Sequence, residues 1–211
     1  MYSWGVKDVE FVGNSDDDLR EFPLIARQRA GYQLHLVQVG QNPSDWKPMT
    51  TVGPGCREVR VRDSGDTYRV FYVATVGDTV YVLHCFQKKT QQTATSDIDL
   101  GKQRYKADER TDPSEGDTVT TKRYDSVWDA LEDTPGAAEN MKIRSALMQE
   151  LAAHIATVGL TQSEAAHQFG VTQPRISDLI RGKIDLFSID TLVNMLTAAG
   201  LHLDLRVREA S

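Results

Sequence analysis

Cysteine is scarce: Cys56 and Cys85 are the only two in 211 residues, and they form no CxxC pair and have no companion histidine cluster. That argues against a disulfide framework or a thiolate zinc site, so both read as reduced structural thiols, with no metal or other cofactor required. Runs of about 18 apolar residues are also missing, which removes a membrane helix. The opening MYSWGVKDVEF has neither the basic nor the apolar stretch of a secretory signal, so the expectation is a soluble, cytoplasmic protein without a membrane partner. Basic excess is lacking too. With 24 Lys and Arg against 30 Asp and Glu, the net charge of -6 has the wrong sign for a nucleic-acid binder taken as a whole. The acid is concentrated between Glu109 and Glu139, however, and a separable acidic segment leaves room for a local basic surface elsewhere.

The length accommodates two modest domains, each with its own core. From Asp108 to Val119 the stretch DERTDPSEGDTV has no apolar periodicity, much charge, and Pro113 and Gly116, the composition of a solvated linker. The division expected is a first domain at 1–108, a linker at 109–119 and a second domain at 120–211. The fold class expected is α+β: two helices packed on a small antiparallel sheet, then an all-α helix-turn-helix domain with a terminal β-strand.

In the first domain, Ser15 ahead of Asp16, Asp17 and Asp18 reads as an N-cap with acids in the first turn. Leu24, Ile25, Tyr32, Leu34, Leu36 and Val37 carry a helical pattern past Pro23 to about Val39. Three strand-like runs come next, Glu58 to Arg62, Tyr68 to Val76 and Thr79 to Gln87, separated by Ser64-Gly65-Asp66 and Gly77-Asp78. Strand parity sorts them into two faces. One collects Val59, Val61, Tyr68, Val70, Tyr72, Tyr81, Leu83 and Cys85, an apolar set suited to packing on the helices. The other collects Glu58, Arg60, Arg62, Arg69, Phe71, His84, Phe86 and Lys88. Cations, rings and a histidine on one face make a cradle for single-stranded RNA, with an ordinary solvated outer face as the alternative.

The run GCREVRVRDSGDTYRVFYVATVGDTVYVLHCFQKKTQ, Gly55 to Gln91, resembles the RelE/ParE superfamily of toxins. Its FQKKTQ ending and the upstream DWKPM, Asp45 to Met49, resemble the HigB-type, phage-Gp49-like branch. The resemblance implies a compact helix-pair-on-sheet fold and a metal-independent endoribonuclease that cuts mRNA on the ribosome. Cleavage of that kind has the ribose 2′-OH attack the adjacent phosphate, with cations holding the charge that builds on the phosphoryl oxygens. By the match, Arg60, Arg69, Lys88 and Lys89 are the catalytic cations. His84 is added as a proton shuttle, against a structural role; Tyr72 and His35 read as structural. Glu58 stands where ribonuclease relatives carry a cation, and Gln92 and Ala94 replace a usual Lys and Pro. The superfamily also contains gyrase poisons, so fold alone leaves the target open.

The second half carries LTQSEAAHQFGVTQPRISDLIRGK, Leu160 to Lys183. Thr161 and Glu164 have capping-box spacing, Gly170-Val171 supplies a turn, Thr172 caps a second helix that tolerates Pro174, and Gly182 ends it. QPRISDLIRGK and LVNMLTAAGLHL resemble the XRE family of repressors, specifically HigA-type antitoxins. That resemblance places Gln173, Arg175 and Ser177 toward the major groove of operator DNA and Gln162, Arg181 and Lys183 toward phosphates. Ile143, Leu147, Leu151, Ile155 and Val158 form the stripe of a packing helix, and Ile189 to Ala199 forms another behind Ser188. Leu201, Leu203, Leu205 and Val207 then alternate with polar residues, an edge strand suited to pairing with a second copy in a homodimer or to folding back on its own domain.

Between linker and bundle, Tyr124, Val127, Trp128 and Leu131 form an apolar stripe beside Asp125 and Asp129. The expectation is an arm docking on the toxin domain, with Tyr124, Trp128, Asp125 and Asp129 as contacts and the carboxylates facing the Arg/Lys sheet face, rather than a helix docked on its own bundle. A linker of about a dozen residues sets an effective concentration of about millimolar between the halves. The function expected is a toxin–antitoxin pair in one chain, in which the antitoxin restrains the nuclease and represses its own operon. The alternative is a transcriptional regulator whose RelE-like domain is an inert sensing or oligomerising module.

Overall fold

A two-residue turn sets the register of the central sheet. Ser64 (φ 50) and Gly65 (φ 91) both lie in the left-handed region, the signature of a type I′ turn, and join β3 (Arg57–Asp63) to β4 (Asp66–Val73) with Asp63 opposite Asp66. The computed structural model describes residues 6–74, 77–90, 92–109, 120–204 and 206–207. They divide into two compact units, 1–139 and 140–211. Most of the proposed linker, 110–119, lies outside the described residues, as does Val76.

The first unit is built on a six-stranded sheet of order β2-β3-β4-β5-β1-β6. The meander β3, β4, β5 (Thr79–Gln87) is antiparallel, as the alternation implies. Three further strands enlarge it. β1 (Asp8–Val12) runs parallel to β5, β2 (Trp46–Pro48) pairs with β3, and β6 (Thr121–Tyr124) adds antiparallel to β1 at the far edge. The helices α1 (Ser15–Arg20) and α2 (Leu24–Gln38) break at Pro23, as expected. Asn14, and not Ser15, is the residue ahead of α1; the Ser15 hydroxyl instead donates to the Val82 carbonyl at 2.8 Å and ties α1 to β5.

Strand parity holds on β3 and β4 and fails on part of β5. A bulge between Phe71 and Tyr72 pairs Phe71 with His84 but Tyr72 with Val82, and one extra residue turns the remainder of the strand to the opposite face. Leu83 therefore joins Phe71 and Phe86, with Tyr81 packed against the same cluster, instead of the helix-facing set. This second core also contains Met49, Val52 and Cys56, and it is closed by α3 (Thr95–Glu109), an element with no counterpart in the sequence reading. Ile98 and Tyr105 of α3 pack on it, Gly101 lies against the Phe71 ring, and Tyr105 donates to the Pro54 carbonyl at 2.9 Å. The face expected to lie open is thus half covered.

Segment 120–139 is part of the first unit. After β6 comes α4 (Val127–Leu131), whose Val127, Trp128 and Leu131 are fully buried. α5 (Pro135–Val158) opens at the end of the first unit and continues in the second, which contains α6 (Gln162–Gln168), α7 (Gln173–Ile180), a 3₁₀ turn at Ile184–Leu186 and α8 (Ile189–Ala198). Leu147, Leu151 and Ile155 form the buried stripe of α5, while Val158 is left exposed. The terminal strand is not formed: Leu201–Asp204, Arg206 and Val207 carry no strand in the single chain, and Leu205 lies outside the described residues. The reason is physical, since a strand exists only where its backbone finds a partner. No helix among the described residues is long and apolar enough to cross a membrane.

Candidate functional sites

The register of the sheet brings two of the sequence-predicted cations into one row. Arg60 pairs with Arg69, which pairs with Phe86; one step along, Lys47, Glu58, Phe71 and His84 form the neighbouring row. Glu58 is almost completely buried, with one carboxylate oxygen 3.4 Å from Nε of Arg69 and 3.7 Å from Nζ of Lys47. Burial lowers the Arg69 pKa from the usual guanidinium value, and Glu58 pulls the other way. Arg60 is half-buried and pairs with Asp45 at 2.9 Å. Lys47 and Asp45 are site residues that sequence reasoning passed over, although both lie in the DWKPM motif. Their place becomes visible only when β2 is laid on β3.

Lys88 and Lys89 come directly after β5. The Lys88 amide donates to the Thr67 carbonyl at 2.7 Å, so the ladder runs one residue further and keeps Lys88 in sequence with Phe86. Both lysines line a cavity of about 460 Å³ between the end of β5 and the start of α3, with Phe86, Thr90, Gln92 and Asp97 among its other walls. Neither is paired with a carboxylate among the described residues. Of the four expected catalytic cations, two are therefore engaged and two open.

His84 departs from its expected setting. It is buried, its Nε2 lies 3.0 Å from Asp97 of α3 and its Nδ1 3.6 Å from Asp18 of α1, and its ring stacks on Phe86 at 4.9 Å between centroids. Burial alone would raise the Asp18 pKa, but His84 and Arg104 beside it hold the carboxyl below its ordinary value. Arg104 also reaches the Leu83 carbonyl (2.9 Å) and Asn14. His84 is thus a clasp between α1, the sheet and α3. Tyr72 is fully buried, and His35 is held neutral by burial, its pKa lowered to about 4. Both thiols are free and buried, and burial pushes that of Cys56 up to about 12. Among the described residues no group of His, Cys, Asp or Glu is placed to hold a metal ion.

The 121–131 arm lies on the first unit, but with a charge pattern opposite to the expected one. Lys122 reaches Asp16 at 2.7 Å and Arg123 reaches Asp8, so the arm contributes the cations and the rest of the first unit the acids. Asp125 and Asp129 are exposed, and the arm sits at the β1 edge, with β5 and β1 between it and β4. The carboxylates therefore do not meet the Arg60/Arg69 face. Tyr124 meets the edge of Phe11 at 5.9 Å, and Trp128 is fully buried against α2.

In the second unit, Thr161 and Glu164 form both halves of a capping box, and Gly170 (φ +67) makes the turn into α7. Thr172 stands at the N-cap of α7, but its side chain makes no capping bond. Gln162, Gln173 and Arg181 are exposed and Ser177 is half-buried. Arg175 lies over Phe187, 5.3 Å from the ring centroid, and donates to the Leu186 carbonyl at 3.1 Å; Lys183 pairs with Asp178 at 2.7 Å.

The geometry is that of a sheet-and-helix domain with clustered cations, succeeded by a helix-turn-helix. More particularly, residues 17–106 match the phage-derived protein Gp49-like family (DUF891), and residues 130–208 match a helix-turn-helix domain family. The chain thus carries a Gp49-like domain, of the RelE/HigB toxin type, and a helix-turn-helix domain. No curated protein sequence is significantly similar to it.

Proposed function

We propose that the chain is a cytoplasmic toxin–antitoxin pair in one polypeptide: a ribosome-dependent mRNA endoribonuclease restrained by an antitoxin half that binds its own operator. The observation that carries the reading is that Lys88 and Lys89, with Phe86, line a cavity of about 460 Å³ beside the Arg60–Arg69 row of the sheet, in a Gp49-like domain. Such a site holds a phosphate on cations and a base on a ring, and supplies positive charge where the phosphoryl oxygens develop negative charge. No metal is needed for that chemistry. Gln173, Arg175 and Ser177 read operator bases, Gln162, Arg181 and Lys183 hold phosphates, and pairing of the Leu201–Val207 segments between two copies sets two α7 helices on adjacent half-sites. Tyr124, Trp128, Asp125 and Asp129 belong to the element through which the antitoxin half holds the toxin half.

The test is to synthesise 1–108 in a cell-free translation reaction, with and without 119–211, and to map mRNA 5′ ends by primer extension. Ribosome-dependent cuts that disappear with the second fragment are the expected result. One observation favours a second reading, a transcriptional regulator with an inert first domain. The buried Glu58 neutralises Arg69, the central cation of the site. Intact mRNA in the same reaction selects that reading.

A further inference from the structure

One acid stands among the cations of the cavity at the end of β5. Lys88 and Lys89 bring positive charge to its wall, and Asp97, in the first turn of α3, is the one carboxylate among the described residues that line it. Neither lysine is paired with it, and its two oxygens are treated differently. Oδ1 lies 3.0 Å from Nε2 of His84. The His84 ring is itself fixed, stacked on Phe86 at 4.9 Å between centroids and with Nδ1 3.6 Å from Asp18. Oδ2 has no hydrogen-bond partner among the described residues and, with the side chain a quarter exposed, is open to solvent. Buried neighbours therefore hold the carboxylate in one orientation and leave one oxygen unfilled, the arrangement of a positioned binding group.

On a wall suited to phosphate, a carboxylate repels the ligand unless it meets a donor, and phosphate oxygens only accept. Single-stranded nucleic acid offers two kinds of donor: the N–H groups of the bases and, in RNA alone, the ribose 2′-hydroxyl. That hydroxyl sits on the carbon next to the one bearing the 3′-phosphate, whereas the base edges project away from it. An acceptor for it therefore belongs beside phosphate-holding cations, as Asp97 stands beside Lys88 and Lys89. We propose that Oδ2 of Asp97 accepts the ribose 2′-hydroxyl of the nucleotide whose 3′-phosphate is held by Lys88 and Lys89, so that this one residue makes the site prefer RNA to DNA. The inference rests on the reading of the cavity as a single-stranded RNA site, but not on cutting.

The experiment titrates the full chain, at low salt and by fluorescence anisotropy, with short end-labelled oligouridylate and oligodeoxyuridylate, and with the cytidylate counterpart of each. The parent should hold oligouridylate about tenfold more tightly than its deoxy form, the size of one hydrogen bond to a charged acceptor. Asp97→Ala should abolish that preference and bind the deoxy form at least as well as the parent, which also shows that the variant is folded. Asp97→Asn, which keeps an oxygen for His84, should weaken the preference in the same direction, so the comparison survives a folding defect in the alanine variant. Equal affinity of the parent for RNA and DNA overturns the inference, as does a preference that both variants retain. Tighter binding of cytidylate than uridylate on both backbones, lost in Asp97→Ala, also overturns it, because the acceptor then faces a base amino group. Lys88→Ala with Lys89→Ala separates these outcomes from failure of the larger reading. Binding that ignores that double change, or no binding by the parent, removes the RNA site and the inference with it.

Discussion

The carboxylate of Glu58 lies 3.4 Å from Nε of Arg69, and both side chains are buried in the middle of the cation-bearing sheet face. A buried pair is costly to break from one side, because the remaining charge keeps its desolvation penalty and loses its partner. Arg69→Leu alone should cost about 3 to 5 kcal/mol of stability, eased to the extent that Lys47 turns toward Glu58. Arg69→Leu with Glu58→Leu should cost clearly less than the sum of the two single changes, as urea unfolding of the four proteins of the cycle would show. Additive losses would mean that the two groups do not interact.

Lys88 and Lys89 are the cations at the cavity with no carboxylate partner among the described residues, so they should bear most on turnover and least on folding. Removing one donor of developing charge typically costs about 10² to 10³ in rate. Lys88→Ala should lower the primer-extension signal in the translation reaction by about that factor while leaving the thermal midpoint within a few degrees. Unchanged cutting would move the catalytic charge away from the cavity.

Acid should weaken the first unit before its carboxylates titrate. His35 has a pKa of about 4 in the fold against 6.5 for the free side chain, because burial disfavours the charged ring. Between those values the unfolded chain takes up a proton that the folded chain refuses, so stability is complete above 6.5 and falls as the pH drops toward 4. Asp18 adds a loss at lower pH, since a carboxyl held below its ordinary value stabilises the fold only while ionised. His35→Leu should flatten the stability profile between pH 6.5 and 4 in chemical unfolding; an unchanged slope would assign it to another group.

On DNA, Gln173 and Lys183 should separate into two kinds of effect. With an operator obtained by selection from random duplexes, Gln173→Ala should cost about 1 to 3 kcal/mol and relax preference at one base pair. Lys183→Ala should lower the salt slope by about one without changing sequence preference, and by less if the Asp178 pair at 2.7 Å persists on DNA. Anisotropy titrations across a salt series distinguish these outcomes.

Much of this architecture was legible without coordinates because it rests on local periodicity. The α2 helix past Pro23, the β3–β4 hairpin at Ser64-Gly65 and the capping box of Thr161 and Glu164 are each specified by residues close in sequence. β1 is only five residues long, and β6 is the polar run TKRY, so neither carries a period strong enough to stand out. β1 becomes a strand because it is paired on both sides, by β5 and by β6, and β6 becomes one because β1 supplies its backbone partner.

The amino-acid sequence by itself determined the two-part composition of the chain, the meander, the helix-turn-helix and the identities of the cations, since patterning and capping act over a few residues. Only the tertiary structure decided which faces those residues share. The bulge opposite Phe71 turned Leu83 to the second core, α3 closed over His84, and the Gly31 notch received Trp128 while Asp125 and Asp129 stayed outside. Each of these depends on which distant segment buries a given surface, a contest of packing and backbone pairing that no local pattern encodes.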